Sequence, residues 1–224
     1  MKNINIYIIL AALMLGMNTI NAQTINWGSL DTTDRHMIHA HAGADYGAVM
    51  GAGYGYQIRN KFFPAIATID YSFPAGEELF DDLKTRIGIQ TNWVNFHNVI
   101  FSTKIYGVIR RYENDNVRLV NFGSELAGVI GYYRSKWFVA GEIGFDKAII
   151  THFKHTANYH EQFPGVEDGW YGPSTGGNFF YGAQAGVSFG QLDLSVRGGK
   201  ILTQDFKTTP TFPLYGELGI NIRI

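Results

Sequence analysis

From His36 to Ile224, apolar and polar residues alternate in runs broken by turn chemistry, and this two-residue period constrains the fold more than any other feature. In the last segment Leu214, Gly216, Leu218, Ile220, Ile222 and Ile224 share one face. Tyr215, Glu217, Gly219, Asn221 and Arg223 share the other. The split recurs where Val120, Phe122, Leu126 and Ile130 oppose Asn121 and Glu125, and where Trp137, Val139, Ile143 and Phe145 oppose Glu142 and Asp146. It recurs again where Ile87, Ile89 and Trp93 oppose Lys84, Arg86, Gln90 and Asn92. Successive side chains of an extended chain point to opposite sides, so each segment has one apolar and one polar surface.

The alternation predicts strands at 36–45, 47–58, 62–73, 83–95, 98–111, 117–133, 136–151, 178–189, 191–202 and 213–224. Most reach the ~9–11 residues that a tilted strand needs to cross a bilayer. Tight connections at 59–61, 96–97, 134–135 and 190 alternate with longer ones at 74–82, 112–116, 152–177 and 203–212. Short turns at one end and long loops at the other are the asymmetry of membrane barrels. The expected fold is all-β, an antiparallel up-and-down transmembrane β-barrel of ten strands. Eight is the alternative, because residues 38–58 keep one parity and the first hairpin rests on a turn near Asp45–Gly47.

Alternation alone does not say which face is outside. A soluble barrel of the lipocalin kind turns its apolar face inward, and a membrane barrel turns it outward. Composition favours the second: charged residues are 17% against roughly 25% in soluble domains, and aromatics reach 15%. The aromatics gather near strand ends, at Tyr54, Tyr56, Phe62 and Phe63, at Trp93 and Phe96, at Tyr132, Tyr133, Trp137 and Phe138, and at Phe179, Phe180 and Tyr181. Rings of this kind are stable at headgroup depth. The net charge of −1 offers no basis for a nucleic-acid partner. With no Cys there is no disulfide, thiolate metal site or lipoprotein anchor.

The first segment has the layout of a secretory signal peptide. Lys2 supplies positive charge, Ile6 to Met17 is nearly all apolar, and small Ala22 precedes Gln23. That apolar run is shorter than the ~18–20 residues of a spanning helix. The expected organisation is a signal peptide at 1–22, an N-terminal periplasmic segment at 23–35, and an outer-membrane barrel at 36–224.

Together the leader, the alternating strands and the terminal strand with Glu217, Gly219, Ile222 and Ile224 resemble small bacterial outer-membrane β-barrel proteins. In that class the last strand is the signal read by the barrel-assembly machinery, and it usually ends in Phe or Trp, whereas this chain ends in Ile224. The ending Asn21-Ala22-Gln23 is similar to exported proteins of the Bacteroidetes group. The resemblance implies a bacterial outer-membrane location, with outer-membrane lipid and the assembly machinery as partners.

The polar faces carry Lys84, Arg86, Lys104, Arg110, Arg197 and Arg223 against Asp45, Asp70, Glu125, Glu142, Asp146, Asp193 and Glu217. The signs nearly cancel, and narrow barrels are filled by their own side chains. A charge-paired, filled lumen is therefore expected, with Gly47, Gly51, Gly53 and Gly55 leaving room for large neighbours. A narrow passive channel for small solutes is the alternative.

Two clusters could carry chemistry. His39, His41 and Asp45 share one face of the first strand, with Asp70 nearby, and His beside a carboxylate is a general-base arrangement. It suggests, as a second alternative, an enzyme with a His/Asp site at the rim, as in omptin proteases and other outer-membrane enzymes of comparable size, although no residue-by-residue match to their motifs is found. The 152–177 loop holds His152, His155, His160 and Glu161, all competent metal ligands, along with Glu167 and Asp168. Its spacing is not HExxH, and no helix is indicated to align the donors. The expectation is no catalytic centre, no metal and no cofactor, with His39 and His41 belonging instead to the interior hydrogen-bond network that buried polar groups need. The function expected is a non-enzymatic outer-membrane barrel that supports the envelope or makes surface contacts through external loops. An extracellular ligand or protein at 152–177 is the partner that loop suggests.

Overall fold

The computed structural model describes residues 24–31, 33–44, 48–58, 62–74, 82–172, 177–205 and 213–224. The leader, Asp45 and Gly47 lie outside them. The strands are β1 (His36–Ala44), β2 (Ala48–Ile58), β3 (Ala65–Pro74), β4 (Asp82–Phe96), β5 (Val99–Glu113), β6 (Val117–Tyr133) and β7 (Trp137–His155). A short helix α1 (Ala157–Gln162) and a three-residue strand β8 (Gly169–Tyr171) follow. The chain then continues through β9 (Asn178–Phe189), β10 (Leu192–Thr203) and β11 (Leu214–Arg223).

Ten of these strands form a closed antiparallel barrel. Each pairs with its sequence neighbour, β7 pairs with β9, and β1 pairs with β11 to complete the circle. Ten strands, not eight, make the wall: Ala44 opposes Ala48 across the first hairpin, so both halves of residues 36–58 belong to it. The last residue locks the closure. The Arg35 and His36 amides donate to the Ile224 carbonyl at 2.8 and 2.9 Å, and the Ile224 amide donates to the His36 carbonyl at 2.8 Å.

Both chain ends of the barrel and the tight turns lie at one end, the terminal end; the longer connections lie at the other, the loop end. At the terminal end, His97 and Asn98 both take positive φ, 50° and 68°. Two consecutive left-handed residues match the right-handed twist of a two-residue hairpin. At the loop end β1 stops at Ala44 and β2 starts at Ala48, so not every loop-end connection is long.

Burial assigns the faces. Ile38, Ile69, Ile87, Ile105, Leu126, Ile130, Ile143, Val196 and Ile220 are exposed on the outside, with Ile143 at 62%. Inside, Asp70, Arg86, Lys104, Glu125, Glu142, Arg197 and Glu217 are buried. Apolar side chains outward and charges inward reverse the polarity of a water-soluble barrel. Among the described residues no helix is long and apolar enough to cross a membrane.

Most of the strand-end aromatics face outward as expected, including Trp93, Trp137, Phe96 and Tyr181. Trp93 sits at a β-bulge opposite β5, packs on Phe63 at 4.9 Å and donates from Nε1 to Thr103 Oγ1 at 2.8 Å. Tyr133, Phe138 and Phe180 depart from the expectation and point inward. They fill two apolar layers of the lumen. Tyr133 and Phe138 join Ile25, Trp27, Met37, Ile66, Ile100, Val129 and Ala140 at the terminal end. Phe180 joins Ala127, Ile201 and Tyr215 toward the loop end.

Candidate functional site

Strand parity aims the following charged residues inward, where they meet both between neighbouring strands and across the lumen. Arg86 on β4 donates from Nε to Glu125 Oε2 on β6 at 2.9 Å, and its NH1 lies 3.9 Å from Asp70 Oδ1 on β3. Asp70 Oδ2 reaches His39 Nε2 at 2.6 Å and His41 Nδ1 at 3.5 Å, both on β1. His41 Nδ1 is 3.9 Å from Glu217 Oε1 on β11, whose other oxygen is 4.0 Å from Arg197 NH1 on β10. Arg197 Nε donates to Glu142 Oε1 on β7, and Lys104 Nζ on β5 is 4.0 Å from Glu142 Oε2. Eight of the ten wall strands thus contribute to a buried circuit of charged and polar side chains, with β1 supplying both His39 and His41.

The other two strands accommodate it. On β2 the pattern Gly51-x-Gly53 lets the imidazoles lie flat against the wall: a Cβ at Gly51 would overlap the His41 ring, and one at Gly53 the His39 ring. Phe180 on β9, together with Tyr215 on β11, receives the Arg197 guanidinium on its ring face, with centroids 5.5 and 5.1 Å away. Tyr215 also donates its hydroxyl to Glu142 Oε1 at 2.6 Å. Buried charges are stable only when opposite charges and hydrogen bonds replace water, and hydrogen bonds at His39–Asp70, Arg86–Glu125, Arg197–Glu142 and Tyr215–Glu142 supply part of that replacement.

The remaining lumen residues pair locally. Arg110 NH2 donates to Asp146 Oδ2 at 2.7 Å. Lys84 lies on the same inward face, half-buried opposite Ser72 and Arg110. Arg223 at the terminal end bridges Asp193, at 3.2 Å, and Asp34, at 3.1 Å. Of the last-strand residues, Glu217 is inside, Gly219 faces Ser195 Oγ, and Ile222 and Ile224 are outside.

The His/Asp pair is not at a rim. His39, His41 and Asp70 have side chains no more than 4% exposed and sit in the middle of the circuit. Parity placed the two His on one face, but only the radial position of β1 and β3 could show that both are sealed from substrate.

Sequence reasoning missed the segment before β1. Thr24, Ile25, Asn26 and Trp27 are buried, and they close the terminal end of the lumen from inside. Asn26 Nδ2 donates to the Arg134 carbonyl at 3.0 Å and to Ser188 Oγ at 2.8 Å, while Asn221 Nδ2 donates to the Thr24 carbonyl at 2.7 Å. Gly28 passes so near the Arg134 backbone that a Cβ would meet it at 2.9 Å. Ile25-Asn26-Trp27 is too short for any periodicity, so only its apolar content signalled a buried role.

Residues 152–172 form more regular structure than their sequence suggested. β7 runs on to His155, and α1 follows with Thr156 as N-cap, its hydroxyl accepting from the Tyr159 amide at 3.4 Å. β8 then pairs back on β7, Phe153 opposite Gly169. That register places Asp168 beside His155. Asp168 Oδ1 accepts from the His155 amide at 2.8 Å, and His155 Nδ1 and His160 Nε2 lie 2.8 and 3.4 Å from the same oxygen. The His155 backbone amide, then its ring, hold the Asp168 carboxyl down at about 2, so it stays ionised. His152 is not part of this group; its ring packs on Trp170 at 4.9 Å. Glu161 is exposed on α1 and also lies outside it. The third donor is Asp168, which only the β7–β8 pairing brings back to the two His.

No protein-family model and no curated protein sequence matches the chain. A chain from the solved structure described as "Unveiling the Mechanism Behind the in-meso Crystallization of Membrane Proteins" is 7% identical, with 85% of this chain and 83% of that chain covered. Its TM-score is 0.34, a likeness that carries no argument about fold or function.

Proposed function

We propose that the chain is a non-enzymatic bacterial outer-membrane β-barrel protein, exported by its leader, with a closed lumen and a role in envelope structure or surface contact at its loop end. The observation that carries this reading is the inverted polarity of the wall, an apolar outer belt around a buried charge circuit. An exposed Ile-rich belt is unfavourable in water and favourable in lipid by roughly 25 cal/mol per Å² of apolar surface. The resemblance to exported Bacteroidetes barrels supports the location, and the assembly machinery and outer-membrane lipid are the partners that follow from it. The loop end, with α1 and β8 folded above the wall, is the surface available to an extracellular ligand or protein.

A channel is the weaker reading. The terminal plug, two apolar layers and the charge circuit all occupy the lumen, which supports its being closed. An enzyme is weaker still, since the His39–Asp70 pair is sealed. The test is in two parts. The protein should fractionate with outer membrane and change gel mobility on boiling, and the folded protein should be silent in planar bilayers. Recovery as a soluble periplasmic protein would overturn the location; reproducible conductance steps would overturn the closed lumen.

A further inference from the structure

At the loop end His155 closes β7, His160 sits in the last turn of α1, and Asp168 precedes β8. Three separate elements therefore deliver one donor each, and the donor atoms all lie within 4.8 Å of one another. The geometry points to a binding site here for a divalent first-row transition ion, held by His155 Nδ1, His160 Nε2 and the Asp168 carboxylate. This goes beyond the proposed function and does not depend on the membrane location.

The spacing suits such an ion. Ligand bonds of ~2.0–2.2 Å in a tetrahedron hold their donors about 3.3 Å apart. The carboxylate oxygen stands 2.8 and 3.4 Å from the two ring nitrogens, so a small outward shift suffices. The donors are also pre-arranged. The His155 ring stacks with Tyr159 at 5.1 Å and 15°, and with Phe153 at 6.3 Å and 17°. Its own backbone amide fixes the carboxylate. His160 and Asp168 are more than a third exposed, which gives an ion its entry path and lets water complete the coordination shell. Two imidazoles with one carboxylate favour Zn²⁺, Cu²⁺ or Ni²⁺ over Mg²⁺ or Ca²⁺, which require mostly oxygen donors.

The lumen offers a similar set in His39, His41 and Asp70, but there the Arg86 guanidinium stands 3.9 Å from the carboxylate and the wall blocks access. A cation is disfavoured at that position and admitted at the loop end.

Calorimetric titration of Zn²⁺ into the folded full chain in detergent, near neutral pH, should show one ion per chain, with Mg²⁺ producing no heat. His160→Ala and Asp168→Asn should each weaken binding by about tenfold or more, since each removes one of three protein ligands. His152→Ala should leave affinity within about twofold, because its ring belongs to the Trp170 contact and supplies no ligand. Each variant is first checked for folding by its gel shift on boiling. As a second readout on unaltered ligands, Cu²⁺ should quench fluorescence that is lost in Trp170→Phe. No Zn²⁺ heat from folded wild-type protein overturns the site, as does full affinity in both ligand variants or Cu²⁺ quenching unchanged in Trp170→Phe.

Discussion

Glu142 accepts from Arg197 Nε and from the Tyr215 hydroxyl, and it faces Lys104 at 4.0 Å. At that depth a carboxylate is tolerated because its partners replace water, and the partners are tolerated for the same reason. Removing one charge leaves the others buried with less compensation. Glu142→Gln should therefore destabilise the barrel by about 3–5 kcal/mol, read as a lowered urea midpoint in detergent. A loss under ~1 kcal/mol would show that water, not Glu142, balances Arg197. Alternation alone showed that Glu142 and Arg197 both face inward. It did not show that they touch, because their strands are separated by β9, and a contact across a curved wall depends on its radius and stagger.

Among elements, the segment 24–31 behaves as a plug although no strand or helix forms in it. Its backbone donors and acceptors are answered by Asn26, Ser29 and Asn221, and its apolar side chains complete the terminal-end core. Trp27→Ala should cost about 3–5 kcal/mol in denaturant unfolding, the usual range for emptying a buried Trp site. The barrel should still form and shift on boiling, since all ten wall strands are intact. An unchanged midpoint would place Trp27 outside the lumen in solution. The 152–177 segment teaches a related lesson. Its His and aromatic content was visible in the sequence, but α1 is only six residues long and β8 only three. Elements that short carry no usable period. They form because Thr156 caps the helix and because β7, already ordered, offers β8 an edge beyond the level where β9 pairs with it.

For the whole molecule, the decisive property is which face meets which medium. Ile143 lies in the middle of β7, fully on the outer belt and 62% exposed. If lipid surrounds the belt, Ile143→Arg should destabilise the folded barrel by about 2–4 kcal/mol in bilayers. If water surrounds it, the substitution should be neutral or better, and that outcome would overturn the membrane reading. Strand number, most strand bounds and the two faces were legible in the sequence, because a two-residue period is written into neighbouring residues and closure merely repeats it around the circle. Which lumen charge meets which, the plug at 24–31 and the meeting of His155, His160 and Asp168 were not. Those features depend on side chains brought together by closure, stagger and the return of short segments onto the wall, and such distances exist only once the barrel has closed.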